Sequence, residues 1–172
     1  ETDHNFDYES YMNMIRKKTA SLFSNCVRMG AEAVGVPASR YRDLLEYGEK
    51  LGLCFQIKDD IFDYVGSESI GKPTGNDLLE GKVTLPLLYA LSRTDLPDHQ
   101  AMVELSRKNT LTADDVTRLY TFARDAGGLD YAVRTMRRLR DEAVMTLNSV
   151  SGPAEVRDAL VSLIDFIVAR DN

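Results

Sequence analysis

The sequence predicts an all-α fold. Apolar residues recur at spacings of three and four through most of the chain, which is the period of a helix with one buried face. No alternating run reaches the length of a useful strand, and no internal repeats or low-complexity tracts interrupt the pattern. At 172 residues, with 44% hydrophobic and 28% charged side chains, the composition is that of one globular domain with a core of its own.

The elements follow in order. Tyr8 to Val34 reads as a long helix, with Tyr11, Ile15, Leu22, Cys26, Met29 and Ala33 on one seam and "GVP" (Gly35 to Pro37) as its stop. Lys18 falls in that seam between Ile15 and Leu22, whereas Lys17 points to solvent. Ser39 to Val65 is a second long helix in which Gly48 and Gly52 thin one face for the close approach of a neighbour or ligand. The loop "GSESIGKPTGND" (Gly66 to Asp77) is, at about a dozen residues, long for a compact helical domain, which marks it as a candidate functional segment. Helices are then predicted over Pro86 to Ser92, Asp98 to Lys108, Thr112 to Ala126, Leu129 to Val150 and Pro153 to Arg170. Pro86 suits a first turn, and "TADD" (Thr112 to Asp115) is a capping box with Asp in place of Glu.

Several function classes are disfavoured. A net charge of −6 and the lack of a basic cluster beyond Arg16-Lys17-Lys18 and Arg137-Arg138 speak against nucleic-acid binding. No apolar stretch reaches the roughly 18 residues of a membrane span, and no signal-peptide pattern opens the chain. Cys26 and Cys54 both lie in apolar helical patterns, where free buried thiols are expected; a cytoplasmic setting follows. The chain opens at Glu1 in an acidic, polar stretch, the expected look of a piece of a longer protein.

The chemistry concentrates in "FQIKDDIFDY" (Phe55 to Tyr64). On a helix, Leu53, Ile57, Ile61 and Tyr64 fall on one side, while Gln56, Asp59, Asp60 and Asp63 share an arc of roughly 100° on the other. Like-charged pairs at these spacings cost a helix a few tenths of a kcal/mol, and a divalent cation reverses that sign. The plainer reading is a solvated acidic face. Calcium in an EF-hand is a poor fit, because that site takes its oxygens from a tight loop; magnesium, which accepts one or two carboxylates and fills its shell with water and phosphate oxygens, suits better. Lys72 and Lys82 in and after the loop could meet such phosphates, or could be ordinary surface lysines. Lys18, an ammonium in an apolar seam, would meet an anion or extend past its neighbours to water.

The stretch "FQIKDDIFDYVGSESIGKPTGNDLLEGKVTLPLLYAL" (Phe55 to Leu91) closely resembles the second aspartate-rich region of the trans-isoprenyl diphosphate synthases, the polyprenyl synthetases. "YMNMIRKKTASLF" (Tyr11 to Phe23) is similar to the preceding helix of that family with its Lys-Thr pair, and "GGLDYA" (Gly127 to Ala132) to its C-terminal region. The resemblance runs along residues 1–172, read as a single all-helical domain, and implies the C-terminal part of the isoprenoid synthase helical bundle. It implies Mg2+ held by Asp59, with Asp60 and Asp63 as co-ligands or supports and Asp77 as the loop aspartate. Lys18, Lys72 and Lys82 become diphosphate ligands, with Thr19 and Gln56 beside them and Arg170 reaching the second substrate, although a basic residue at a helix end is also explained by the helix dipole. The implied reaction joins isopentenyl diphosphate to an allylic diphosphate. Neither the family's first aspartate-rich motif nor its upstream Gly-Lys-Arg region occurs in this sequence, so the chain alone is expected to be inactive and to pair as a homodimer. The alternatives are a non-catalytic binding or regulatory subunit, against which the intact Asp and Lys set argues, and a terpene cyclase, disfavoured because cyclases usually carry an Asn/Ser/Glu metal box at this place.

Overall fold

A computed structural model describes residues 7–65 and 75–170. Among them the structure is helical, with no strand. Helix α1 (Tyr8–Ile15) passes through a π-helical turn (Arg16–Ala20) into α2 (Ser21–Ala33). After a short 3-10 turn come α3 (Arg42–Val65), α4 (Asn76–Leu79), α5 (Leu85–Ser92), α6 (His99–Ser106), α7 (Ala113–Asp125), α8 (Gly128–Leu147) and α9 (Ala154–Ala169). No helix among the described residues is long and apolar enough to cross a membrane. The chain divides into two compact units, one holding the residues up to Tyr11 and Asp59–Arg134, the other Met12–Lys58 and Thr135–Asp171.

The first unit is built around α5. Its residues Leu85, Pro86, Leu87, Leu88, Ala90 and Leu91 are all buried, as expected of a helix that is apolar nearly all round. Leu78, Met102, Leu105, Val116, Leu119 and Ala123 close over it. The capping box of α7 forms as the sequence predicts: the Asp115 N–H donates to Thr112 Oγ1 at 3.2 Å and the Thr112 N–H to Asp115 Oδ2 at 3.0 Å.

In the second unit α3 supplies Tyr47, Leu51, Leu53, Cys54 and Ile57 to the core, and α8 and α9 supply Met136, Leu139, Ala143, Leu147, Ile164 and Ile167. The Tyr47 hydroxyl donates to the Leu160 carbonyl at 2.8 Å, tying α3 to α9. The thinned face of α3 admits a helix: a Cβ on Gly52 would lie 2.5 Å from Ala20 Cα.

One expectation is corrected here. The seam predicted for the first long helix does not continue past Ile15: Tyr11 and Ile15 are buried, but Leu22 is 65% and Met29 69% exposed, and Cys26 is exposed as well. The cause is the π turn. It widens one turn by a residue, so everything downstream is rotated by about 100°. Ala20 becomes buried, and Phe23 and Val27, each one position after its predicted counterpart, together with Ala31 four residues further on, become the half-buried face. Lys18 consequently lies exposed instead of in an apolar seam.

The two thiols therefore differ. Cys54 is buried, its Sγ 3.5 Å from the Met136 carbonyl, and burial pushes its thiol up to about 12. Because the thiolate is the reactive form, an alkylating reagent at about neutral pH is expected to modify Cys26 rapidly and Cys54 only after denaturation. Mass spectrometry of the native protein should find one adduct; two at equal rates would contradict the packing around Cys54.

Candidate functional site

The last turns of α3 carry the aspartates of the first unit. Asp60 is only 3% exposed, and the Tyr11 hydroxyl donates to its Oδ2 at 2.6 Å. Burial first, and the Asp60 charge second, push the Tyr11 hydroxyl well above the usual phenol range, so it stays a donor. Asp63 faces the start of α4, accepting from the backbone N–H of Asn76 at 3.2 Å and of Asp77 at 3.3 Å. A carboxylate placed at the N–H groups of a first helical turn satisfies donors that have no partner within the helix. The Tyr120 hydroxyl from α7 also donates to Asp63; burial and this bond raise its proton affinity. The Tyr120 ring stacks on Tyr64 at 4.2 Å between centroids.

Lys82 turns back on the same segment. Its Nζ is 3.6 Å from Asp77 Oδ1 and pairs with Glu80. Its own N–H donates to the Asp77 carbonyl at 2.8 Å. Asp59, also on α3, is half-buried.

The second unit holds the other polar cluster. Thr19 lies in the π turn, and its hydroxyl donates to Gln56 Oε1 at 2.6 Å, so the wide turn delivers Thr19 to α3. Lys18 precedes it on the exposed side. Arg170, just past the end of α9, sets its guanidinium 4.3 Å from the centre of the Phe55 ring and 3.5 Å from the Phe55 carbonyl, one residue from Gln56. The structure thus joins Asp63, Asp77 and Lys82 in one cluster, and Thr19 and Gln56, with Arg170 at the neighbouring Phe55, in another. Lys72 lies outside the described residues.

Sequence reasoning missed Tyr11 and Tyr120 as partners of aspartates. Tyr11 reads as a seam residue, and Tyr120 shares a helical face with Val116 and Ala123, so each looks like core. The available signal was a hydroxyl on an apolar face, which needs a buried acceptor.

Among the described residues, no three His, Cys, Asp or Glu side chains stand ready as a metal cluster. The donor chemistry nevertheless fits a hard divalent cation: carboxylate oxygens at positions 59 and 60 of one helix suit an ion that takes one or two protein carboxylates and completes its shell with water and phosphate.

The sequence pattern of the polyprenyl synthetases matches residues 1–123. The chain is 35% identical over 166 residues to geranylfarnesyl diphosphate synthase of Aeropyrum pernix, a match that covers 95% of this chain and 51% of that protein. Its structure aligns with geranylgeranyl pyrophosphate synthase from Bacteroides thetaiotaomicron at a TM-score of 0.88 and 43% identity, over 98% of this chain and 56% of that one. It also aligns with a polyprenyl synthase from Caulobacter crescentus complexed with calcium and isoprenyl diphosphate, at a TM-score of 0.84 and 36% identity, over 98% and 51% of the two chains. These are helical isoprenyl diphosphate synthase folds, and the class of protein is set by them. The chain belongs to the polyprenyl synthetase family. It spans about half the length of the curated relatives it matches.

Proposed function

We propose that this chain is the C-terminal part of a trans-prenyltransferase that joins isopentenyl diphosphate to an allylic diphosphate in isoprenoid biosynthesis, as a cytoplasmic homodimer using Mg2+. The observation that carries this reading is the set Gln56, Asp59, Asp60 and Asp63 on one helix of a polyprenyl synthetase chain.

In this reading Asp59 and Asp60 hold the metal, with Asp63 and Asp77 supporting them. Bound Mg2+ would neutralise the diphosphate and favour its departure. Lys18, Lys72 and Lys82 bind the diphosphate oxygens and oppose the negative charge that grows as the carbon–oxygen bond breaks, which is electrostatic stabilisation of a leaving group. Thr19 and Gln56, hydrogen-bonded to each other at 2.6 Å, are assigned to diphosphate binding. Arg170 is assigned to the second substrate. The double bond of isopentenyl diphosphate then supplies the electron pair for the new carbon–carbon bond, and loss of a proton restores an alkene.

Calorimetry with inorganic pyrophosphate and Mg2+ tests the reading. Each should strengthen the other's binding by the same factor, as linkage requires, and Asp59→Ala should weaken pyrophosphate binding about tenfold or more, the factor equivalent to about 1.4 kcal/mol. No pyrophosphate binding at millimolar Mg2+, or binding indifferent to Asp59→Ala, would overturn it. The purified chain should not carry out the condensation, because orienting two substrates contributes up to about 7 to 11 kcal/mol and no second D-D-x-x-D motif is present in the sequence.

A further inference from the structure

We propose that Tyr120 is a positioning residue for this site: through Asp63 it fixes the start of α4, and with it the turn that carries Asp77 and Lys82. The proposal rests on the diphosphate-binding reading above, to which it adds a residue that no motif marks.

Asp63 is caged by donors from two other elements. Its Oδ1 accepts from the Asn76 N–H, and its Oδ2 accepts from the Asp77 N–H and the Tyr120 hydroxyl. A carboxylate offers about four lone-pair positions, so three donors leave it little capacity for a cation. Asp63 therefore acts through the segment it holds.

That segment has no cap of its own. Gly75, which precedes α4, lacks a side chain and sits in the left-handed region at φ 94°. A Cβ there would lie 2.7 Å from Val116 Cγ1. Val116 and Tyr120 are four residues apart on α7 and share one face, so α7 seats the start of α4 at two points, by packing on Gly75 and by the hydroxyl on Asp63. From Asp77 the turn continues to Lys82, through the 2.8 Å backbone bond and the 3.6 Å ion pair. A shift at Asp63 thus moves an acid and a cation of the site together. Removing the hydroxyl alone isolates this function, since a phenylalanine keeps the stack on Tyr64.

Tyr120→Phe in the full chain is tested by pyrophosphate calorimetry at fixed Mg2+ together with amide hydrogen exchange. The expected result is a pyrophosphate Kd raised about three- to tenfold, about the factor carried by the net contribution of one ordinary hydrogen bond, with faster exchange at Asn76 and Asp77. Asp63→Asn should shift both readouts the same way, which keeps the test open if either variant folds poorly. Tyr89→Phe is the control: it takes a hydroxyl from another stacked tyrosine pair of the same unit and should leave the Kd unchanged. Wild-type binding that Tyr120→Phe does not alter, or a loss matched by Tyr89→Phe, overturns the inference alone. Absence of pyrophosphate binding in the wild type overturns the functional reading and this inference with it.

Discussion

Replacing Gly128 by alanine is expected to destabilise the protein by about 3 kcal/mol or more, at the upper end of what overpacking usually costs. A Cβ at this position would lie 2.2 Å from the Pro86 carbonyl oxygen, 2.8 Å from the Pro86 carbonyl carbon and 2.8 Å from the Ala123 carbonyl oxygen. All three atoms are backbone, so no side-chain rotation relieves the clash. Retreat of α5 is blocked because its buried residues face the core on nearly every side. For a chain of this size such a loss corresponds to a melting shift of about 10 °C. Gly30→Ala provides the contrast: nothing lies within 4 Å of its added Cβ, and an alanine in a helix interior should gain about 0.5 to 1 kcal/mol. Denaturant unfolding of both variants decides the matter, and a Gly128→Ala loss below about 1 kcal/mol would mean that α8 can slide away from α5.

The long helices were legible because their apolar spacing persists for many turns, as in α3 and α8, or because a local stop or start is written into the chain, as with Thr112 and Asp115. The π turn at Arg16–Ala20 was not. Nothing in "RKKTA" encodes a wider turn; it is accompanied by tertiary contacts, the Thr19 bond to Gln56 and the close approach of Ala20 to Gly52. One unseen residue of phase then turned Leu22, Cys26 and Met29 outward, although the helix itself had been predicted. Helix α4, which straddles the end of the predicted loop at Asp77, was missed for a different reason, since four residues are too few to show a period and its start is held by Asp63 from another helix. In the candidate site, spacing along one helix sufficed to group Gln56, Asp59, Asp60 and Asp63. The contacts of Tyr11 and Tyr120 join residues 49 and 57 positions apart, a distance that periodicity does not reach.

Above a pH of about 10 the protein is expected to lose stability steeply and to unfold before a pH of about 12. Five buried or half-buried groups that lose a proton to become anions carry this expectation: Tyr11, Tyr47, Tyr64, Tyr120 and Cys54. Burial is the leading cause in each and raises all five; Tyr47 and Cys54 are each pushed up to about 12, and the other three also stand well above their ordinary values. In the unfolded chain a tyrosine titrates near about 10 and a cysteine near about 8.5. Between those values and the raised ones the unfolded state has released its protons and the folded state has not. The unfolded state then binds fewer protons, and stability falls with rising pH by about 1.4 kcal/mol per unit for each group. Below the unfolded values the contribution is fully present, so nothing is lost near neutrality. Five such groups approach a combined slope of about 7 kcal/mol per pH unit, against a typical total stability of about 5 to 15 kcal/mol. Tyrosinate absorbance followed beside the helical circular dichroism gives the test. Part of the tyrosinate signal should be withheld and then appear in a single step with the loss of helix. A smooth titration centred near about 10, with the helices intact throughout, would show that these hydroxyls reach water without unfolding.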